Sequence, residues 1–188
     1  MTTDSILATV RPRTDEDLDT CVRLLREVHE HDAYPVSWPE RPAAWITPPT
    51  TLGSWVAELG GRTVGHVGLA GPREHDGAPG VWSAATGRGQ DQAVMVNRLY
   101  VSPAARGHRV GALLLAEAVA EARRLGRHPV LDVAARCVEA TALYERLGWR
   151  RMATVAQDWG PHGMVDVHCY TAPGAQPPHP PQPGPHPR

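Results

Sequence analysis

The chain contains no lysine, since every one of its 19 Lys+Arg residues is an arginine, and it also contains no phenylalanine. A Walker-type phosphate loop needs a lysine that reaches the phosphates, and Schiff-base chemistry needs a lysine amine. The composition therefore excludes both of these function classes.

Cysteine is scarce. Cys21, Cys137 and Cys169 are widely separated along the chain. This spacing favours reduced thiols over a disulfide framework, and it lacks the paired arrangement of a structural zinc site. We therefore expect free thiols and no metal ion.

Long apolar runs and a strong net charge are missing too. No run approaches the roughly 20 apolar residues that span a bilayer, and Met1 to Asp4 are polar rather than signal-like. A formal net charge of −1 argues against a general nucleic-acid binder. With 188 residues, of which 41% are hydrophobic, the chain is predicted to be one cytoplasmic globular domain with no membrane or nucleic-acid partner.

The most informative stretch is Asn97 to Leu115, NRLYVSPAARGHRVGALLL. Its first part is a β-forming segment that ends at Ser102, and apolar residues recur with helical spacing from Val110 onward. The loop between them therefore opens onto a helix N-terminus. Unpartnered amides and the helix dipole favour an anion such as phosphate at that point.

Two glycines and two arginines in this loop suit an anion. Gly107 and Gly111 let the backbone approach closely, and Arg106 and Arg109 can pair with negative charge. A plain strand-turn-helix connection with solvated arginines is the alternative.

Before this stretch, the patterns predict a strand at Leu7–Val10 and an amphipathic helix capped by Thr14. Ser54–Leu59 and Thr63–Ala70 alternate around a Gly-Gly pair, which predicts an antiparallel hairpin. The glycine- and proline-containing segment Gly71–Gln92 is predicted to be a long, mobile connection.

After the central stretch, the helix is predicted to end near Leu125. A buried strand should follow, and the connecting helix is consistent with a parallel arrangement relative to the strand before it. The remaining predicted elements are that strand at Pro129–Ala134, a helix at Val138–Leu147, closing strands near Arg151–Trp159 and Val165–Tyr170, and a disordered proline-rich tail after Thr171.

The segment from His29 to Pro49 mixes prolines, aromatic residues and acidic residues, which is typical of a pocket wall. Tyr34 and Trp38 are candidate substrate contacts, although each can equally cover the edge of the core. Acidic residues of this segment (Glu30, Asp32 and Glu40) would attract a cationic substrate.

Two further residues are candidates for the substrate side. His66, in the second hairpin strand, is either a site base or a structural histidine. Asn97 is a candidate that would act through water. His29 and His31 are two residues apart and do not face each other on a helix, so a metal site there is disfavoured.

The order of elements and two motifs resemble the GCN5-related N-acetyltransferase (GNAT) family. Arg106 to Gly111 is similar to the R/Q-x-x-G-x-G/A loop that holds the acyl-CoA pyrophosphate in that family. A second similarity is to the pattern A-x-x-L-Y-x-x-x-G-F/W, carried here by Ala140, Leu143, Tyr144, Gly148 and Trp149. The resemblance covers Ala8 to Tyr170.

The sequence departs from the family pattern at two positions. Arg109 stands where the family usually has a glycine, which puts one backbone contact to pyrophosphate in doubt. Cys137 stands where an asparagine often precedes the second helix, which puts a contact to the cofactor arm in doubt.

The resemblance implies an α/β GNAT fold: a mixed, mostly antiparallel twisted sheet flanked by helices and splayed between the fourth and fifth strands. The domain would cover residues 1–171, and residues 172–188 would form the tail. The co-substrate would be acetyl-CoA. Its implied contacts are Leu99, Tyr100, Val101, Arg106, Gly107, His108, Arg109, Val110, Gly111, Ala112 and Cys137.

By the same resemblance, Tyr144 lies near the thioester sulfur and is the catalytic residue. Attack by an amine releases a thiolate of pKa about 8.5, which a phenol of pKa about 10 can protonate. The attacking amine must lose a proton as well. His66, Asn97 through water, or an acidic residue of the 30–40 segment can each receive it, and a water relay is the interpretation that we favour.

We therefore predict an N-acetyltransferase that moves acetyl from acetyl-CoA to a primary amine by direct attack in a ternary complex. A small-molecule amine and a peptide N-terminus both remain open as acceptors, and a homodimer is possible. The alternative is a non-catalytic acyl-CoA-binding sensor or interaction module of the same fold.

Overall fold

The strands of this chain form one seven-stranded mixed sheet in the computed structural model, which describes residues 7–174. In chain order the strands are β1 (Thr9–Pro12), β2 (Thr51–Leu59), β3 (Arg62–Ala70), β4 (Ala93–Val101), β5 (His128–Ala134), β6 (Arg150–Asp158) and β7 (Met164–Thr171). The helices are α1 (Leu18–Asp32), α2 (Pro42–Ile46), α3 (Gly77–Thr86), α4 (Val110–Arg124) and α5 (Val138–Arg146). From position 175 onward, the predicted tail lies outside the described residues.

The strand order across the sheet is β1-β2-β3-β4-β5-β7-β6. Every neighbouring pair is antiparallel except β4 and β5, which are parallel and are joined through α4. The predicted hairpin is confirmed, with the adjacent glycines Gly60 and Gly61 at φ values of 58° and 74° between β2 and β3. Positive φ at both positions is the reason for glycine there.

The predicted splay lies between β4 and β5. These strands pair only at their first residues, Ala93 to Met95 against His128 to Val130. Beyond that point β5 pairs on its other side with β7. The remainder of β4 therefore presents an edge without a strand partner toward β5, as the GNAT resemblance implied.

Helices cover both faces of the sheet. On one face, α4 packs its apolar stripe on β2 to β5. Gly65 of β3 permits this close approach, because a Cβ there would lie 2.9 Å from Leu114 Cδ1 and 3.0 Å from Val110 Cγ1. On the other face, α1 and α2 pack near Val56 and Tyr100.

β4 contains a bulge at Arg98, where φ is 50°. Between Asn97 and Tyr100, β4 uses one residue more than the paired segment of β3. Since side chains alternate along a strand, one extra residue exchanges the two faces. Val96 consequently packs with the α4 core, whereas Tyr100 packs with the α1 core on the opposite face.

The prediction of a mobile connection at Gly71–Gln92 is wrong, because α3 occupies the middle of that segment. Asp132 on β5 accepts hydrogen bonds from the first helical amides, 2.7 Å from Gly77 and 2.8 Å from Ala78. This carboxylate caps α3 from a distant strand. The tertiary contact outweighs a local composition of glycine and proline that disfavours helix.

Candidate active site

The loop between β4 and α4 ends on a helix N-terminus whose first amides receive no side-chain cap from Arg109 or from any other residue that the structure describes. The first helical amides, those of Val110, Gly111 and Ala112, therefore have no partner within the helix. Gly107, earlier in the loop, has a φ of 83°. Together with the positive end of the helix dipole, these amides form a place for an anion.

Arg109 adopts a left-handed backbone conformation, with φ of 61° and ψ of 14°. This is the region that glycine enters most readily, and glycine is the residue that the GNAT motif has at this position. The arginine thus departs from the motif in residue type while its backbone occupies a glycine-type conformation. Its side chain is exposed.

Replacing Arg109 by glycine is expected to raise the free energy of unfolding by about 0.5–1 kcal/mol, because it removes a Cβ from a left-handed position. Urea denaturation of the variant and the wild-type protein measures the change. Arg109→Ala is the matched control, since it removes the charge but keeps the Cβ. Equal stabilisation by both substitutions would show that charge, not backbone conformation, is responsible.

Arg106 connects two helices across the mouth of the loop. Its guanidinium forms an ion pair with Asp32 at the end of α1 and lies 3.6 Å from Glu139 of α5. Burial opposes ionisation of Asp32, but hydrogen bonds from Arg106 and His31 outweigh it and lower the pKa of that carboxyl. Asp32 is thus engaged with Arg106, whereas Glu30 and Glu40 are exposed.

The other candidate cofactor contacts lie in the same loop and on β4. The His108 ring Nδ1 lies 3.3 Å from the Ala105 carbonyl and 3.2 Å from the Arg106 carbonyl, within its own loop. Leu99 and Val101 are half-buried on the α4 side of β4. The Tyr100 hydroxyl instead donates to the Cys21 carbonyl at 3.2 Å on the α1 side.

Helix α5 lies directly beside the start of α4. A Cβ on Gly111 would lie 3.1 Å from Leu143 Cδ2, so a glycine here lets the two helices touch. Cys137 precedes α5 without capping it, and burial raises the pKa of its thiol. The structure therefore brings the loop, Cys137 and the helix of Tyr144 together.

Tyr144 is 8% exposed and lies among aromatic rings. Its ring centroid is 6.1 Å from that of Trp149 and 5.9 Å from that of Tyr170. Burial raises the pKa of Tyr144, and the neighbouring Tyr34 and Cys137 raise it further. The phenol therefore keeps its proton at neutral pH and is available as a proton donor.

Loops from opposite ends of the chain meet near Tyr34. Tyr34 is half-buried and contacts Trp45 of α2 edge-on, with centroids 6.0 Å apart. Ser37 forms a hydrogen bond with His162 in the turn between β6 and β7. Trp38 lies under the Arg26 guanidinium at 4.1 Å and packs against the core of α1.

His66 and Asn97 occupy the α1 face of the sheet. His66 is 0% exposed, its ring stacks on Tyr100 at 5.1 Å, and its Nδ1–H donates to the Arg98 carbonyl at 3.0 Å. Its Nε2 is buried with no hydrogen-bond partner among residues 7–174. Asn97 is half-buried, and its Oδ1 lies 2.7 Å from where a Cβ on Gly68 would be.

The enclosure of His66 predicts a loss of stability in acid. Burial lowers the pKa of His66 to about 4, below the ordinary value of about 6.5. Between these values the unfolded chain binds a proton that the folded chain does not, so stability falls as the pH decreases. We expect His66 to account for about 2 kcal/mol of the stability lost between pH 7.5 and 4.5.

Urea denaturation at the two pH values, compared between wild type and His66→Gln, measures this contribution. The difference between the two proteins removes the effects of other titrating groups, such as His128, whose pKa burial also lowers to about 4. An identical acid loss in both proteins would contradict the assignment to His66.

Two residues were missed by sequence reasoning: Arg98, beside the predicted aromatic wall, and Asp132, at the start of α3. The adjacent polar pair Asn97-Arg98 within an apolar strand was the available signal of a bulge. Asp132 carried no local signal, because its partners are the amides of α3.

Within residues 7–174, the His, Cys, Asp and Glu side chains form no group of three or more that could hold a metal ion. The three cysteines are free thiols. None of the described helices has the length and apolar character to cross a membrane.

Comparison with known proteins gives one family and many similar folds. A sequence model of the Acetyltransferase (GNAT) family matches residues 18–149. No curated protein matches the sequence significantly.

Solved structures share the fold at low sequence identity. The ribosomal-protein-S18-alanine N-acetyltransferase of Escherichia coli aligns over 88% of this chain and 93% of its own, with a TM-score of 0.64 and 18% identity. A putative acetyltransferase of Salmonella typhimurium, solved with its cofactor acetyl-CoA, aligns over 87% and 92%, with a TM-score of 0.63 and 21% identity. A GCN5-related N-acetyltransferase of Kribbella flavida aligns over 88% and 97%, with a TM-score of 0.62 and 22% identity.

Proposed function

Because the chain belongs to the acetyltransferase (GNAT) family, we propose that it transfers an acetyl group from acetyl-CoA to a primary amine by direct attack in a ternary complex. Acetyl-CoA supplies the acetyl group as a thioester. The residues of this chain bind it, position the amine and move the protons.

The observation that carries the proposal is the uncapped start of α4 beside the unpaired edge of β4. The free amides of Val110, Gly111 and Ala112 suit a pyrophosphate, and the positive φ of Gly107 and Arg109 shapes the loop that leads to them. The edge of β4 around Leu99 to Val101 suits the amide groups of a pantetheine chain, since strand edges bond extended partners.

Tyr144 is the proposed proton donor. In the reaction the amine nitrogen forms a bond to the acetyl carbon, and the bond from that carbon to sulfur breaks. The departing sulfur takes the proton from Tyr144 Oη, and the proton that the amine nitrogen releases returns through water to the phenolate. The phenol carries its proton at neutral pH, as this role requires.

A water relay past Asn97 is the proposed route for the proton of the amine. His66 is 0% exposed, and its Nδ1 is engaged with the Arg98 carbonyl. A fully enclosed imidazole with a lowered pKa is a poor acceptor for a proton from a bound amine.

Release of free thiol from acetyl-CoA, followed over a panel of amines, amino acids and peptides, tests the proposal. Mass spectrometry of each mixture must show an acetylated product wherever thiol appears. If calorimetry shows acetyl-CoA binding but no acceptor releases thiol, the chain is instead an acyl-CoA-binding module, and the transferase proposal is wrong.

A further inference from the structure

The bulge of β4 places an arginine inside the protein. Arg98 is only 7% exposed, and its backbone has a φ of 50°. Burial lowers the pKa of its guanidinium, which shows that the surroundings disfavour its positive charge. A buried charge of this kind normally has a carboxylate partner, because an unpaired one costs several kcal/mol.

Arg98 has no such partner among the described residues. Its Nε donates to the Trp45 carbonyl, and its guanidinium lies 4.8 Å from the Trp45 ring centroid. The carbonyl and the ring orient the side chain but bring no negative charge. The two terminal nitrogens have no acceptor among residues 7–174.

An acidic group within electrostatic reach of Arg98 is already paired. Asp76 lies within electrostatic reach of Arg98, but its carboxylate accepts from the Arg73 amide at 2.8 Å and from the Arg73 guanidinium at 3.2 Å. The Arg73–Asp76 pair is neutral as a unit. Within residues 7–174, the positive charge of Arg98 is therefore left without a counterion.

Arg98 adjoins the segment of Tyr34 and the β4 edge of the proposed acetyl-CoA site. Tyr34 is edge-packed on Trp45, the residue that holds Arg98. Arg98 opposes the effect of burial, which raises the pKa of Tyr34 to about 12. Arg98 also directly precedes Leu99, on the edge of β4 that is proposed to meet the pantetheine chain.

We propose that the terminal nitrogens of Arg98 bind a carboxylate of the acceptor, so that the acceptor is an amine that also carries a carboxylate, such as a free amino acid. The planar fork of a guanidinium matches a carboxylate with two parallel hydrogen bonds. One carboxylate balances the one unpaired charge, whereas a phosphate monoester would leave excess negative charge buried. The inference rests on the transferase function proposed above, which supplies the reaction that the bound acceptor undergoes.

The test compares each amino acid with its amide, which keeps the amine and removes the charge. The panel contains the free L-amino acids, β-alanine and the corresponding amides, with thiol release as the readout. Wild type is expected to show kcat/KM about 100-fold higher for a preferred acid than for its amide. In Arg98→Gln, kcat/KM for the acid should fall about 100-fold, mainly because KM rises. The value of kcat/KM for the amide should change by less than about threefold.

Two further variants separate recognition from packing. Arg98→Lys keeps the positive charge but lacks the planar guanidinium, so kcat/KM for the acid should fall about 10-fold. Arg26→Gln removes an exposed arginine that lies on Trp38 in the neighbouring loop, and it should leave the ratio of acid to amide unchanged. Thermal unfolding of each variant shows whether it is folded.

A binding measurement keeps the inference testable without turnover. Calorimetry with the same acids and their N-acetyl products, in the presence of CoA, should show carboxylate binding to wild type and at least 30-fold weaker binding to Arg98→Gln. Turnover of amides or peptides as fast as acids, or equal losses on acid and amide in Arg98→Gln, would overturn the carboxylate inference alone. Absence of thiol release from every acceptor would overturn the transferase proposal, and the binding result would then decide the role of Arg98.

Discussion

Tyr144→Phe is expected to lower kcat about 100-fold, while the dissociation constant of acetyl-CoA stays within about threefold of the wild-type value. A positioned general acid contributes about 10²–10⁴-fold to the rate, and phenylalanine lacks only the hydroxyl group that donates the proton. The phenyl ring still fills the space beside Trp149 and Tyr170, so the packing of the site is kept. Steady-state thiol release and calorimetry measure the two quantities.

Tyr170→Phe is the matched control for this prediction. Its hydroxyl donates to Glu145 Oε1 at 2.9 Å, and its ring lies in the same aromatic cluster as that of Tyr144. Loss of this hydroxyl should change kcat by no more than a few fold. If Tyr144→Phe also retained nearly wild-type kcat, Tyr144 would have no part in proton transfer.

Asp132→Ala is expected to lower the free energy of unfolding by about 3 kcal/mol. Its carboxylate accepts from the amides of Gly77 and Ala78 and, at 3.3 Å, from Gln157 Nε2. Alanine leaves these donors without an acceptor in a partly buried place, and each lost partner costs about 1–3 kcal/mol. Urea denaturation measures the total, and amide hydrogen exchange should show the greatest loss of protection in α3.

Two other substitutions calibrate this effect. Asp132→Asn keeps one acceptor oxygen and should lose roughly half as much stability as alanine. Asp166→Ala changes an exposed aspartate on β7 and should stay within about 0.5 kcal/mol of wild type. A loss for Asp132→Ala no larger than that for Asp166→Ala would show that the capping carboxylate does not hold α3 in place.

Asp132 also explains why sequence reasoning failed at α3. The apolar periodicity of α4 and the alternation of β2 and β3 are local, so a window of neighbouring residues reveals them. α3 contains two glycines and a proline, and its cap belongs to a strand more than 50 residues further along the chain. No local pattern carries that information.

The candidate site likewise combines features that local sequence patterns reveal with features that only the folded structure reveals. The loop Arg106–Ala112 and the helix of Tyr144 were identified from motifs, because phosphate cradles need particular residues at short, fixed spacings. The sequence shows that residue 109 is an arginine. Only the folded loop shows that its backbone is left-handed. Whether His66 is a site base or a structural residue was equally open until its ring was found enclosed against Tyr100.

The sequence by itself determined the hairpin and the strand-helix-strand connection through α4, and it predicted the loop and the tyrosine helix of the proposed site, since each depends on residues close together in the chain. Only the tertiary structure decided that Asp132 caps α3, that Arg106 is paired with Asp32 and that Arg98 is buried with no counterion in the described part of the chain. These features arise from a one-residue bulge and from contacts between distant segments. Burial and charge balance are properties of the packed molecule, and they set the environment in which each of these side chains acts.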